Sequence, residues 1–247
     1  MMLMCRMLAI MSKKPIPSFF LHDFRLLAEK GKVLPKAKPG HKGGWGIVCY
    51  KNRIPMYLGR QPTNAMDDPK YEEACEQLDQ LRASGILLAH LRKPSQEYKD
   101  ISLENTAPFI QEEWCFAHNG TIHRFNEEVK GLVGTTDSER LFRLLQQEKG
   151  NSGCSIEKAI EKTIQKIRNS FSYSSLTFIL SNGVHIYAYR EYSDPRDSDY
   201  YNLLCSTDRN MVILSQEPTW FRDWVAVPNR NLVTINGDLR VCSQYIP

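Results

Sequence analysis

The chain has no cysteine pair at metal-binding spacing. Its seven cysteines, at positions 5, 49, 75, 115, 154, 205 and 242, are odd in number and scattered through 247 residues, and no CxxC occurs. That pattern speaks against a disulfide framework and a zinc site, and a reducing, cytoplasmic setting fits it best. His41, His90, His118 and His123 show no ligand spacing either and read as structural, so neither a metal nor a cofactor is expected. Basic residues number 32 against 28 acidic ones and lie scattered among them. Without a basic stripe interleaved with aromatics, nucleic acid is not implied. No apolar run approaches the roughly 20 residues of a membrane span. The apolar opening is no secretory signal, because Lys13 and Lys14 follow it, Arg6 interrupts it and no small-residue cleavage site comes after. No internal repeat, low-complexity tract or long linker divides the chain.

What is present is an ordinary globular mixture, 24% charged and 42% hydrophobic, long enough for a full core. Residues 5–11 read as a short buried strand. Ser18 predicts the cap of a helix running to Lys30, with Phe20, Phe24 and Leu27 on one face and Gly31 past its end. A Pro/Gly/Lys-rich loop follows, then "WGIVCYKN" and "PMYLG" as two strands. Asp68 and Pro69 open a helix with Tyr71, Ala74, Cys75, Leu78 and Leu81 along one stripe. "GILLAHLR" is a continuous buried strand stopped by Pro94, and "WCFAHNGTI" is another that runs into a turn at Asn119–Gly120. Helices are predicted from Asp137, carrying Leu141, Phe142 and Leu145, and over Ile156 to Phe171. The last third reads as strand: "SLTFILSNGVHIYAYRE", "MVILS", "WVAV" and "LVTINGDLRV". Its Asn-Gly pairs at 182–183 and 236–237 read as two-residue hairpins. Helix and strand blocks with hairpins predict an α+β fold with antiparallel sheets.

Reactive residue types concentrate in four stretches, "CRMLAI", "AHLRKPS", "FAHNGTI" and "GTTDSERLF". Each has an ordinary reading. Cys5 is either a buried thiol of the first strand, or the mature N-terminus left when Met4 is clipped, with a thiol and a free α-amine on one residue. Arg92 at a strand end can be a surface ion pair, Asn119–Gly120 one more hairpin turn, and Asp137 the cap of the helix behind it. Asn119-Gly120-Thr121 also matches a glycosylation acceptor, which has no meaning in a cytosolic chain.

Taken in order, together with "HKGGWGIVCY", "ENTAPF" and "VILSQEPT", these stretches resemble the class II glutamine amidotransferases, which are N-terminal-nucleophile hydrolases. The likeness is greatest to their stand-alone, YafJ-type branch and is strong from residue 5 to about 142. It implies a four-layer αββα sandwich, two antiparallel sheets between helical layers, as a single domain over 5–247. Residues 1–4 would be absent from the active chain, Met1–Leu3 being an upstream start-site artefact. The resemblance assigns Cys5 as the nucleophile, Asn119 and Gly120 as oxyanion donors, Arg92 to the substrate α-carboxylate and Asp137 to its α-ammonium. Arg6, one residue on in a strand, points to the opposite face and is expected to be structural. Three positions depart from the family pattern: Gly43 stands where an acidic residue is usual, Ala107 replaces the histidine of "NTHPF", and Gln216 is extra in the Ser-Glu-Pro element. The first two are expected to alter the pocket or the acceptor side.

The activity implied is cleavage of the γ-amide of glutamine or a γ-glutamyl compound through a thioester, releasing glutamate and ammonia or an amine. No synthase domain follows in this chain, so an ammonia-accepting synthase would be a separate partner. A catalytically silent binding module of the same fold is the remaining alternative.

Overall fold

The computed structural model describes residues 5–34, 37–220 and 222–247. Its first half runs β1 (Arg6–Ser12), α1 (Phe19–Arg25), α2 (Leu27–Lys30), β2 (Trp45–Lys51), β3 (Ile54–Gln61), α3 (Pro69–Leu81), β4 (Gly85–Leu91), β5 (Phe109–Gln111) and β6 (Trp114–Asn119). Two long helices follow, α4 (Asp137–Ser152) and α5 (Ile156–Ser170). The chain ends in strands: β7 (Thr177–Ser181), β8 (Ile186–Arg190), β9 (Leu204–Thr207), β10 (Met211–Ser215), β11 (Val225–Ala226), β12 (Asn231–Ile235) and β13 (Val241–Tyr245).

Seven strands form one sheet in the order β11-β9-β10-β1-β4-β2-β3, and six form another in the order β13-β12-β8-β7-β6-β5. All the ladders are antiparallel. Three apolar layers hold the sandwich together. One, including Leu8, Ile10, Phe24, Trp45 and Tyr71, lies between the seven-stranded sheet and helices α1–α3. A second, including Phe116, Phe142, Ile160 and Ile164, lies between the six-stranded sheet and α4–α5. The third, including Met7, Ala9, Leu88, Ala117 and Ile179, fills the space between the sheets. Because β1 and β4 lie in the middle of their sheet and are covered on both faces, they read as continuous apolar runs rather than alternating ones.

The helices follow their local signals. Asp68 accepts from the N–H of Lys70 at 3.0 Å with Pro69 in the first turn, and Arg82 closes α3 in the left-handed region. Ser155 caps α5, whose Ile156, Ile160, Ile164 and Ile167 are buried at helical spacing. Thr136 caps α4 by accepting from the N–H of Glu139. Among the described residues no helix is long and apolar enough to cross a membrane.

Several local expectations are corrected. The helix expected over 18–30 is two pieces that meet at Leu26, and Ser18 does not cap it. Its hydroxyl and N–H are both taken by the Asp79 carboxylate of α3, and tertiary pairing outweighs the local cap. The two Asn-Gly pairs do not make two-residue hairpins. Loops 182–185 and 236–240 are wider because each asparagine turns its side-chain oxygen onto backbone N–H groups downstream. In the second loop the left-handed residue is Leu239, not Gly237. "WVAV" yields only the exposed two-residue β11, while β5 and β9 carry too few alternating apolar residues to be seen.

Candidate active site

Side-chain parity brings the site together. Successive residues of a strand point to opposite faces, and Met7 and Ala9 of β1, Ile86 and Leu88 of β4, and Cys115 and Ala117 of β6 all face the layer between the sheets. Counting in twos along each strand puts Cys5, then His90 and Arg92, then Asn119 on that same face. Arg6 pairs with Leu91 across the ladder, so Cys5 and Arg92 lie at one end of neighbouring strands. The sandwich is open at that end, and three polar strand termini meet there.

Cys5, Arg92, Gly120 and Asp137 line one half-open cleft, with His90, Tyr98, His118 and Ser138 also on its walls. The cleft is shallow and half open to solvent, with about 30 Å³ of cavity volume. Asn119 touches the nucleophile directly: its Oδ1 accepts from the Cys5 nitrogen at 2.9 Å. That bond fixes the amide's orientation, and its Nδ2 is left buried with no partner among the described residues. The Cys5 sulfur accepts from the N–H of Lys93 at 3.4 Å. Burial pushes the thiol up to about 11, against the opposing pull of that N–H and the Arg92 charge. A thiol so placed stays protonated until a base takes its proton.

Gly120 is not a hairpin glycine. β6 pairs with β7, which is far along the chain, and the residue has no positive φ. What it needs is space: a Cβ there would stand 2.0 Å from the Ser175 carbonyl oxygen. The expected turn is therefore corrected to a close backbone approach.

Arg92 is 4% exposed. Its Nη2 donates to the Tyr98 carbonyl at 3.2 Å, while Nη1 has no partner among the described residues. Asp137 does not cap α4, since Thr136 does that. Its Oδ2 accepts from the N–H of Ile122 at 2.8 Å and its Oδ1 from the N–H of Ser138 at 2.9 Å. Burial pushes its carboxyl up to about 7, with those two N–H bonds holding it down and Glu97 adding to the rise. The cleft therefore presents a vacant Arg92 donor and the Asp137 carboxylate, with the vacant Asn119 amide next to the Cys5 nitrogen. Such a set fits an amino acid whose side-chain carbonyl reaches the sulfur.

Arg6 is structural in the described chain. It pairs with Glu217, donates to the Cys5 carbonyl at 2.9 Å and the Lys32 carbonyl at 2.6 Å, and stacks over Tyr200. Gln216, the extra residue, accepts from the Met7 N–H through its Oε1. Sequence reasoning missed Lys93, whose ammonium grips the carbonyls of Lys38 and Gly40 and pins that loop beside Cys5. It also missed Tyr98, whose hydroxyl donates to the Ile122 carbonyl at 2.9 Å across the cleft. The only signal for either was proximity to Arg92. The departure at Gly43 has a local cause: a Cβ there would stand 2.3 Å from Cδ of Pro94, so an acidic side chain does not fit beside this proline. Ala107 lines the cleft with its methyl group. The leader 1–4 lies outside the described residues.

A two-sheet sandwich with helices on both outer faces and a cysteine at the end of a central strand defines the N-terminal-nucleophile hydrolase type of protein. The family model for class-II glutamine amidotransferases matches residues 4–205, and the chain belongs to that family. It is 29% identical over 153 residues to a Haemophilus influenzae protein assigned as a glutamine amidotransferase, a match covering 58% of this chain and 50% of that one. This chain therefore spans about half the length of that curated relative. Its fold is similar to a glutamine aminotransferase class-II domain protein from Silicibacter pomeroyi, with TM-score 0.66 and 21% identity over 98% of this chain and 100% of the other. It is also similar to the glutamine phosphoribosylpyrophosphate amidotransferase of B. subtilis, with TM-score 0.68 and 13% identity over 98% of this chain and 49% of that one.

Proposed function

We propose that the protein is an amidohydrolase that uses Cys5, as the N-terminal residue of the active chain, to cleave glutamine or γ-glutamyl amides. The observation that carries this reading is the Asn119 amide, whose oxygen holds the Cys5 nitrogen while its Nδ2 is buried with no partner among the described residues.

Arg92 Nη1 receives the α-carboxylate and Asp137 the α-ammonium, which places the side-chain amide over the sulfur. With residues 1–4 removed, the Cys5 nitrogen is an amine with a pKa of about 8, basic enough to take the thiol proton as sulfur attacks. A peptide nitrogen lacks that lone pair. The carbonyl π pair moves onto oxygen, and the oxyanion meets Asn119 Nδ2 and the N–H of Gly120. The Cys5 ammonium passes its proton to the leaving nitrogen, the C–N bond breaks, and ammonia or an amine departs from a thioester. Water attacks that thioester with the same amine as base, the C–S bond breaks, and the thiol recovers its proton as glutamate leaves.

The test combines two measurements on protein expressed from its native start. Intact mass should show a chain beginning at Cys5. Free glutamate should appear on incubation with glutamine or γ-glutamyl dipeptides, and not with Cys5→Ala. Active protein that keeps Met1–Met4 would refute the α-amine mechanism. Silence on every substrate, relieved only by an added synthase, would make the chain the ammonia-donating half of a two-component amidotransferase. Silence without such relief would support a binding module.

A further inference from the structure

His118 was expected to be structural, yet its ring sits where two parts of the cleft meet. It is 1% exposed, directly precedes Asn119, and touches α4 through Ser138. Its Nε2 lies 3.2 Å from the Ser175 carbonyl oxygen, and its Nδ1 lies 2.9 Å from the Ser138 hydroxyl.

The protons in this chain of contacts can be counted. A carbonyl oxygen only accepts, so Nε2 must carry a hydrogen. Burial takes the ring down to about 4, so it is neutral at working pH and its second nitrogen is bare. A bare Nδ1 can only accept, and the Ser138 hydroxyl is the group facing it. The Ser138 proton is therefore committed to His118, and Oγ turns only lone pairs toward the cleft. The other acceptor to which that hydroxyl could donate, Asp137 Oδ1, lies farther off, at 3.5 Å against 2.9 Å for His118 Nδ1. The amino-acid end of the cleft thus holds two acceptors side by side.

We infer that Ser138 Oγ, held as a pure acceptor by His118, is a second recognition group beside Asp137 for a substrate α-ammonium, restricting the site to γ-glutamyl compounds with a free α-amine. This deepens the amidohydrolase reading and rests on it. His118 acts through Ser138 and is a positioning residue.

An ammonium has three N–H groups, and a single carboxylate oxygen leaves most of that donor capacity unmet. A hydroxyl that kept its own proton free could instead turn it toward a neutral amine nitrogen, and would discriminate less. Committing the proton to a buried neutral imidazole removes that option.

The experiment compares kcat/KM of the processed chain for L-glutamine and for glutaramate, the analogue lacking the α-amine, in wild type, Ser138→Ala and Ser138→Thr. Ser138→Ala is expected to reduce the preference for glutamine by about tenfold or more, chiefly through KM, since a hydrogen bond to a charged group is lost. Ser138→Thr keeps the oxygen and should restore most of the preference. An unchanged preference in Ser138→Ala, or equal losses on both substrates, overturns the inference. The ring 15N spectrum of His118 gives a readout that needs no turnover: a protonated Nε2 with a bare Nδ1 is expected at neutral pH. An Nδ1–H tautomer or an imidazolium overturns the proton assignment. Wild-type silence on both substrates would instead sink the amidohydrolase reading, and the ammonium role with it.

Discussion

Asp137 offers the sharpest quantitative test of the site, because its titration and that of the Cys5 amine can be separated. The perturbation is pH, applied to wild type and Asp137→Asn. Burial holds the Asp137 carboxyl up at about 7, with Glu97 raising it further and the N–H groups of Ile122 and Ser138 opposing. Glutamine keeps its ammonium throughout the range from pH 5 to 8, so it needs the ionised carboxylate. Below about 7 each pH unit should remove about tenfold of the binding-competent form, leaving roughly 1% ionised at pH 5. The Cys5 amine, with a pKa of about 8, contributes its own slope of about one on the acid side. Wild-type log kcat/KM should therefore fall with slope one below about 8 and slope two below about 7, while Asp137→Asn keeps slope one throughout. The amine cancels in the ratio of wild type to variant, which should shrink by roughly a hundredfold between pH 8 and 5. The assay is glutamate release at low glutamine concentration. A ratio that stays constant with pH would show that Asp137 does not titrate in this window or does not meet the ammonium. The same shift has a sign in stability. A carboxyl raised on folding means that the native state holds its proton more tightly, so stability falls as pH climbs from the ordinary carboxylate range to about 7. The melting temperature of Asp137→Asn relative to wild type should rise across that interval.

Three further outcomes follow from the geometry. Asn119→Ala should lower kcat by about 10²–10³-fold, on the order of 3 kcal/mol, with a small change in KM, because its contact strengthens as the oxyanion forms; steady-state kinetics with glutamine decide this. Gly120→Ala should cost both turnover and thermal stability, since its Cβ would stand 2.0 Å from the Ser175 oxygen and the backbone must move to admit it; full activity in that variant would refute the close-approach account. Gly43→Asp should destabilise the protein in thermal melts, and adding Pro94→Ala should recover much of the loss, because the two side chains compete for one space.

The site was more legible than the local structure around it, for a physical reason. Cys5, Arg92, Asn119, Gly120 and Asp137 are chemically specific residue types, and four of the five line one cleft while the fifth bonds the nucleophile's own nitrogen. Strand parity explains that convergence, and parity can be counted in a sequence once the strands are placed. Ser18, Asn182 and Asn236 misled because each has alternatives for its side chain. Ser18 found Asp79 some 61 residues away, and both asparagines found backbone N–H groups of their own loops. Short polar residues compete for such partners, and the winner depends on tertiary placement. Lys93 and Tyr98 were invisible for the same reason, since their contacts are with carbonyls that any residue could supply.

Two of the buried polar atoms left without a partner among the described residues belong to the motif residues Asn119 and Arg92. Nearly every buried donor in a folded chain finds an acceptor, and one that does not costs about 1–3 kcal/mol. Here, among the described residues, Asn119 Nδ2 and Arg92 Nη1 are both buried without one, the first on the side chain that holds the Cys5 nitrogen and the second on a wall of the nucleophile's cleft. Each belongs to a side chain whose other polar atom is already engaged, by the Cys5 nitrogen in one case and the Tyr98 carbonyl in the other. Those bonds hold each vacant N–H in one direction, so little reorganisation is needed when an oxygen arrives. A fold that only had to be stable would gain from satisfying both. Two oriented, vacant N–H groups beside Cys5, with the Asp137 carboxylate on the nucleophile's own cleft, are the physical ground for proposing that the cleft serves a substrate rather than the fold.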